Sequence, residues 1–456
     1  MSLAEDLSAF LTNTAPAELP PLTMEHAAMI LASTVASAAA GTQIDSARVI
    51  RELAREREGR EDATVWFDPG PRLPLADAAQ ANAVASDAAA SDDSDLRNIV
   101  HAGTPLSAVS LATAERTGAS GEAVLAAIVL GYEAAGRISA AMTPEFRNRG
   151  FHGCHGAIFA ATVAASRLLG LSAQQMAQAM ALAATSIGGL ITAADTSTSR
   201  EYHAGLATAL GVQAALAAQR GYQGELSILE SPRGFFATIG GVDPLAAAAS
   251  VTEGLGKDYD IVTDLAIKLA PGAHSYHSIG EAAAIAARDG DVAPGEVESI
   301  SISRPDMSEL RGPLHPSDLV TMAHSPAYFA AAGTADRDFS WAHASGAKIA
   351  DPVIHGLIDK VRVGAPPPPE EHSRYRQGST VTIHLRGGGT STATVFQPKG
   401  SGSLGIDWHE LDTKYRHLVP AGGLNEAAIE ESLALIHRLC ELPNVTGLTA
   451  LLSGKD

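Results

Sequence analysis

The sequence predicts a mainly α-helical protein of two domains, and three observations carry that expectation. Hydrophobic residues make up 46% of the chain and aromatics only 5%, so alanine dominates the apolar content, which favours closely packed helices over a sheet sandwich. Apolar positions recur at helical spacing through the N-terminal half, whereas two later segments alternate with the period of two that marks a half-buried strand. The length, 456 residues, exceeds what one ordinary core accommodates.

The elements follow in order. Within 22–60, Ala32, Val35, Ala36 and Ala39 and then Val49 and Leu53 mark two helices, with Asp45-Ser46 as the start signal of the second. Residues 75–90 read as an alanine-rich helix followed by a polar loop, Ser91-Asp92-Asp93-Ser94-Asp95, which on its composition is a solvated acidic segment. Helices fit 103–117, 120–138, 155–169, 172–187 and 203–219, with Gly170 and Gly221 where C-caps are expected. Val297–Arg304 and Thr380–Arg386 read as strands, and Pro326–Gly333 and Asp351–Val363 as helices. Pro366–Pro369 is a linker or rigid turn. Arg386-Gly387-Gly388-Gly389 lacks the following helix and Lys-Ser/Thr of a phosphate loop and reads as a strand-end turn. Helices return at 407–417 and 424–441. The expected architecture is an all-helical domain built from both chain ends, 1–262 and 402–456, with an inserted α+β domain at 263–401.

Charge and cysteine content exclude several classes. A net charge of −19 opposes binding to nucleic acid or an anionic membrane, but not to a small anion held in a locally basic cleft. Two cysteines, Cys154 and Cys440, are too few for a disulfide framework or an iron–sulfur cluster. The N-terminal segment carries acids where a signal peptide carries bases. No apolar run reaches the ~18 residues of a membrane span; Ile158–Leu171 comes closest, and Arg167 interrupts it. The cytoplasm is the expected location.

The segment GFHGCHGAIFAATVAASRLLGLSAQQMAQAMALAATSIGGL, residues 150–190, resembles the MmgE/PrpD signature of Gly-Phe/Trp-His before a small-residue helix ending in Leu-Gly-Leu. The resemblance continues at Tyr202-His203-Ala204-Gly205, at Lys268-x-x-Pro271 followed by His277-Ser278-Ile279, and at Gln397-Pro398-Lys399-Gly400. Single motifs are weak; the ordered series, from Ala32 to beyond Lys414, is specific. Members of that family include 2-methylcitrate dehydratase, cis-aconitate decarboxylase and iminodisuccinate epimerase. The resemblance implies a helical domain with an inserted α+β domain, a site between them, and a homodimer.

Reactions of this kind move a proton or a carboxylate at a carbon beside a carboxylate, so a base and cationic groups are needed. His152 and His101 match family histidines, and His152, at a helix start, is the expected proton-transfer residue, held neutral by the helix N-terminus and by Arg200. His155 lies three residues beyond His152 and is a neighbour or a spectator. Arg200 stands where relatives have lysine; it is either a carboxylate clamp or a surface arginine paired with Glu201. Lys268, His277, His274 and His203 are implied substrate-binding residues, and Tyr328 is either a hydroxyl donor or a buried helix residue. Counting from Asn82, the family pattern has a histidine five residues on, an acid at eight and Asp-Asp-Thr at ten to twelve. This chain has Asp87, Ala90 and Asp92-Asp93-Ser94, which keeps Asp93 and Ser94 as binding candidates and lacks the first acid.

No metal site or cofactor is expected, because the histidines are scattered and no His-x-x-x-His or Cys-x-x-Cys spacing occurs. The expected function is a metal-independent lyase acting on a small di- or tricarboxylate. The alternatives are an epimerase, which tolerates Ala90 because it needs no leaving group, and a catalytically silent relative.

Overall fold

The computed structural model describes residues 2–57, 59–186, 188–305 and 307–454. The chain forms two compact units, Met1–Ile267 with Asp407–Asp456, and Lys268–Ile406. It is mainly α, as its alanine-rich composition predicts.

In the first unit the principal helices are Leu3–Asn13, Pro21–Gly41, Asp45–Arg55, Leu75–Ala88, Gly103–Thr117, Gly121–Ala140, Cys154–Leu168, Ala173–Ala183 and Ser199–Gln219, joined by Trp408–Leu418, Glu426–His437 and Thr446–Leu452 from the C-terminal segment. The first was not expected, although its cap was legible: the Ser2 hydroxyl accepts from Glu5 N–H while the Glu5 carboxylate accepts from Ser2 N–H. Helix 173–183 ends before the expected 187, a position that lies outside the described residues.

Small residues let these helices approach closely. At the crossing of Ser199–Gln219 with Cys154–Leu168, a Cβ on Gly211 would lie 2.6 Å from the Ala161 methyl and 3.0 Å from the Ile158 carbonyl oxygen, so only glycine fits. Among the described residues one helix, Gly121–Ala140, is long and apolar enough to cross a membrane, which corrects the expectation that no segment is; 89% of its apolar window is buried within the protein. Its Glu133 and Arg137 pair with each other at 2.5 Å, one turn apart.

The acidic segment departs most from expectation. Ser91, Asp92, Asp93, Ser94 and Asp95 are all buried rather than solvated. Asp93–Asp95 forms strand β1, paired antiparallel with β2, Leu265–Ile267, with Asp93 opposite Ile267.

The second unit packs helices His274–Asp289 and Pro326–Asp336 with a four-stranded sheet of order β4-β3-β5-β6. The strands are β3, Val297–Ser303; β4, Val361–Val363; β5, Ser379–Leu385; and β6, Thr390–Val395. β3 runs parallel to β4 and antiparallel to β5, and β5 and β6 form a hairpin. Alternation puts Ile300 and Ile302 of β3 and Val381 and Ile383 of β5 into the core, and a register shift after Val297 brings that side chain to the same core. The expected helix 351–363 is in fact helix Pro352–Ile358 followed by β4; Val361 and Val363 are β-branched and suit the strand. Gly388 and Gly389 take positive φ between β5 and β6, the turn expected of that glycine run.

Candidate active site

The candidate site in the helical unit is assembled from the β1 segment, the strap before helix Cys154–Leu168, and the start of helix Ser199–Gln219. β1 leads into the N-terminus of helix Gly103–Thr117, where the first backbone N–H groups lack intrahelical partners. Asp93 Oδ1 accepts from Gly103 N–H at 3.0 Å, and Asp92 Oδ2 accepts from the Thr104 hydroxyl at 3.1 Å. The helix end thus holds both carboxylates.

Against these acids lies His101. Its Nδ1–H donates to the Asp93 carbonyl at 2.6 Å and faces Asp92 Oδ2 at 3.1 Å, with the Ser94 hydroxyl at 3.5 Å. Both close partners are acceptors, so the proton of the neutral ring sits on Nδ1 and Nε2 is the basic nitrogen. Behind this pair is a residue that the sequence reading passed over. Lys414 is fully buried, donates to the Ser33 hydroxyl at 2.6 Å and also to the Ser91 carbonyl, while Ser33 donates to the Asp92 carbonyl. The available signal was a lysine inside the apolar stripe of Leu411 and Tyr415, a position that a surface helix does not give to a charge.

His152 sits on a strap in which His152 N–H donates to the Gly189 carbonyl, Ile191 N–H donates to the Gly150 carbonyl, and Phe151 bridges to Leu190. Its Nδ1 accepts from Cys154 N–H at 3.4 Å, which leaves the proton of the neutral ring on Nε2. Burial holds its pKa well below 6.5, and His101, His203, Arg147 and Arg200 act in the same direction. The expected lowering is present, with burial as its main cause.

The His203 ring centroid is 5.2 Å from that of His152, and burial lowers its pKa against the opposing pull of Asp87. His155 packs edge-on to Phe151, and burial brings its pKa down to about 4. It belongs to the packing behind the strap.

Arg200 is held internally. It donates from Nε to Asp87 Oδ2 at 2.8 Å and from Nη2 to the Asp87 carbonyl at 2.7 Å, with Glu201 at 3.8 Å. Nη1 takes part in none of these bonds. Burial works against the cation, but Asp87, Glu201 and Asp92 outweigh it and raise the pKa. The surface pairing with Glu201 is corrected: the residue is buried and its main partner is Asp87. Ala90, where the family pattern has an acid, is buried with φ +52°.

Among the described residues, two groups gather metal-ligand atoms within 4.8 Å of one another, His152 with Cys154 and His203, and Asp87 with Asp92 and His101. Their spacing in the chain hid both, which removes the argument that scattered histidines cannot form a ligand set.

In the α+β unit, His274 and His277 lie in the first turn of helix His274–Asp289. Their rings are 4.6 Å apart and His277 stacks on Phe329. Lys268, just after β2, is buried. The Gln397-Pro398-Lys399-Gly400 motif docks on this helix, Lys399 N–H donating to the Glu281 carboxylate at 3.1 Å. Tyr328 is corrected. It is fully buried in the hydrophobic core of this unit and its hydroxyl donates to the His343 carbonyl at 2.9 Å, so it is a packing residue, not a donor to substrate.

The MmgE/PrpD N-terminal domain model matches residues 5–248, and the MmgE/PrpD C-terminal domain model matches residues 277–437. The chain belongs to the MmgE/PrpD family. Among its relatives it is 27% identical over 430 residues to cis-aconitate decarboxylase of Mus musculus, covering 91% of this chain and 86% of that protein. It is 25% identical over 472 residues to cis-aconitate decarboxylase of Homo sapiens, covering 99% and 95%. A third relative, the cis-aconitate decarboxylase-like protein oryM of Aspergillus oryzae, is 33% identical over 158 residues, which cover 33% of this chain and 32% of that protein. Within this MmgE/PrpD chain, two departures from the pattern meet each other: Asp87 and Arg200 form one buried ion pair.

Proposed function

We propose that this MmgE/PrpD protein is a lyase acting on a small di- or tricarboxylate, by decarboxylation or dehydration beside a carboxylate. The observation that carries this reading is the Asp92–His101 pair placed within electrostatic reach of a second, neutral histidine, His152. Asp92 fixes the tautomer of His101 and supports its cation, so Nε2 can accept a proton from carbon or, once protonated, return one. Dehydration uses the first direction. Decarboxylation uses the second, because the electron pair left by departing carbon dioxide must be protonated. His152, neutral with its proton on Nε2, suits a hydrogen-bond donor to the substrate carboxylate. This assigns the base to His101 instead of His152. In the helical unit Arg200 Nη1 is the carboxylate anchor in this reading, with His203 as a binding residue; in the second unit Lys268, His274 and His277 are the carboxylate-binding candidates. The similarity to two cis-aconitate decarboxylases favours an unsaturated tricarboxylate.

Ala90 favours a second reading. A buried methyl where the pattern has an acid leaves one group fewer to protonate a leaving hydroxyl, which suits an epimerase that removes an α-proton and returns it on the other face. Incubation with cis-aconitate, hydroxylated tricarboxylates and chiral dicarboxylates in D2O, followed by NMR, separates the readings. Net loss of carbon dioxide or water supports the lyase; deuterium incorporation with inversion and no loss supports the epimerase. No change in any acid overturns both.

A further inference from the structure

We propose that His152, Cys154 and His203 form a binding site for a thiophilic divalent cation, zinc above all, whose occupancy switches the enzyme off. The switching clause rests on the proposed function; the binding does not.

The three side chains come from two helix starts that the strap brings together, and their ligand atoms lie within 4.8 Å of one another. Zinc bound at about 2.0–2.1 Å to nitrogen and about 2.3 Å to sulfur needs neighbouring ligands roughly 3.3–3.7 Å apart, so a shift of about one ångström closes the set. A second observation points into the same space. His203 is nine-tenths buried, and its Nδ1 has no hydrogen-bond partner among the described residues. A buried ring nitrogen left in that state is costly unless something binds it. Gly189 opens the space: a Cβ there would lie 2.4 Å from Cys154 Sγ and 3.4 Å from His203 Nδ1, so any other residue would fill the place where sulfur and nitrogen face each other.

The donor chemistry fits. Two imidazoles and one sulfur suit zinc, with a fourth position left for water or a carboxylate oxygen. His203 offers the unpartnered Nδ1, and His152 offers the Nδ1 lone pair that otherwise takes the long 3.4 Å bond from Cys154 N–H. Burial pushes the Cys154 thiol up to about 12, so the ion must displace its proton: a zinc–sulfur bond forms, the sulfur–hydrogen bond breaks, and the proton leaves to buffer. The oxygen-rich triad of Asp87, Asp92 and His101 is a poorer candidate, because Arg200 and Thr104 already occupy its carboxylates. Zinc on His152 takes the ring that would otherwise meet substrate, so the loaded protein is inactive and the chelator-treated protein is the active form.

The test uses the full-length protein stripped by chelator, then titrated with zinc chloride against a chromogenic chelator, and separately with cobalt(II) chloride. We expect one zinc per chain. Cys154→Ser and His203→Asn each remove a direct ligand and should weaken it by more than the roughly 10–100-fold that losing an outer-shell partner costs. Cys440→Ser should leave it unchanged, as should His315→Ala, which breaks the exposed His315–His355 pair that would be the adventitious site. Cobalt should give a thiolate charge-transfer band in the near ultraviolet that survives Cys440→Ser and disappears in Cys154→Ser. Absence of that band in the unmutated protein overturns the proposal even if Cys154→Ser fails to fold, as does zinc affinity unmoved by Cys154→Ser. Zinc bound as expected by a protein that turns over no carboxylate would sink the functional reading alone. Turnover that saturating zinc leaves intact would sink the switching clause alone.

Discussion

Arg200 grips Asp87 twice, through the carboxylate at 2.8 Å and the main-chain carbonyl at 2.7 Å, and both residues stand where the chain departs from its family pattern. A guanidinium fork reaches a carboxylate and a carbonyl at once, which a lysine ammonium at the same position does less well. The two departures are therefore one coupled change. Breaking a buried pair from either side leaves an uncompensated charge, so Asp87→Ala and Arg200→Ala should each destabilise by about 3–5 kcal/mol. The double variant should lose less than the sum, with a coupling of at least about 1 kcal/mol in urea unfolding. Additive losses would show that the pair is not a unit.

His101 and His152 should respond differently to the same substitution. His101→Gln should lower turnover by about 10²–10⁴ with little change in substrate affinity. His152→Gln keeps an N–H donor and should cost less, mainly in KM. Asp92→Asn, which disturbs the His101 tautomer, should lower turnover by about 10–100-fold. Steady-state kinetics on the three variants settles the assignment; a collapse in His152→Gln beside near-normal His101→Gln would return the base to His152.

Lys268 should act on binding. Lys268→Ala removes a charge-assisted contact of about 1.5–3 kcal/mol and should raise KM by at least tenfold at near-constant kcat. Loss of turnover with unchanged KM would refute an anchoring role.

The buried charge cluster around Arg97 should make stability depend on pH. Arg97 pairs with Asp95 at 3.2 Å, with Asp264 at 3.3 Å and with Asp260, whose N–H also donates to the Glu133 carboxylate at 2.8 Å. Burial, reinforced by Glu133, raises the Asp260 pKa to about 8, and burial raises that of Asp95 to about 6. Both folded values lie above the unfolded one, so the folded state holds extra protons and their stabilisation is lost as pH rises through the folded pKa. The thermal midpoint should fall as pH rises from about 4 to about 8 and level off above that, and Asp260→Asn, which mimics the protonated acid, should flatten the slope. An unchanged slope in Asp260→Asn would place the dependence elsewhere.

A homodimer is the assembly we expect, with a scattering mass near twice 46.8 kDa at micromolar concentration. Its contact cannot use the small-residue faces of helices 154–168 and 199–219, because those faces pack against each other inside the helical unit. Exposed apolar side chains such as Leu190 and Tyr202 are better candidates. A single-chain mass would overturn the expectation.

Taken alone, the sequence determined that the protein is mainly helical, where most helices begin and end, and that it resembles the MmgE/PrpD family, because local periodicity and caps are written in neighbouring residues. His101, His152 and Arg200 stood out as types suited to carboxylate chemistry. What each of them touches was decided only by the tertiary structure. Asp92 meeting His101, Asp87 meeting Arg200, and Lys414 reaching Ser33 across 381 positions are long-range pairings that no local spacing encodes. The same holds for solvent: a run of five polar residues reads as a wet loop until a helix N-terminus and a buried lysine surround it. Tyr328 shows the converse, since its hydroxyl looked available until the fold placed a carbonyl against it. Burial and partner choice depend on which distant segments pack together, and these set the pKa, the tautomer and the free valence of every group in the candidate site.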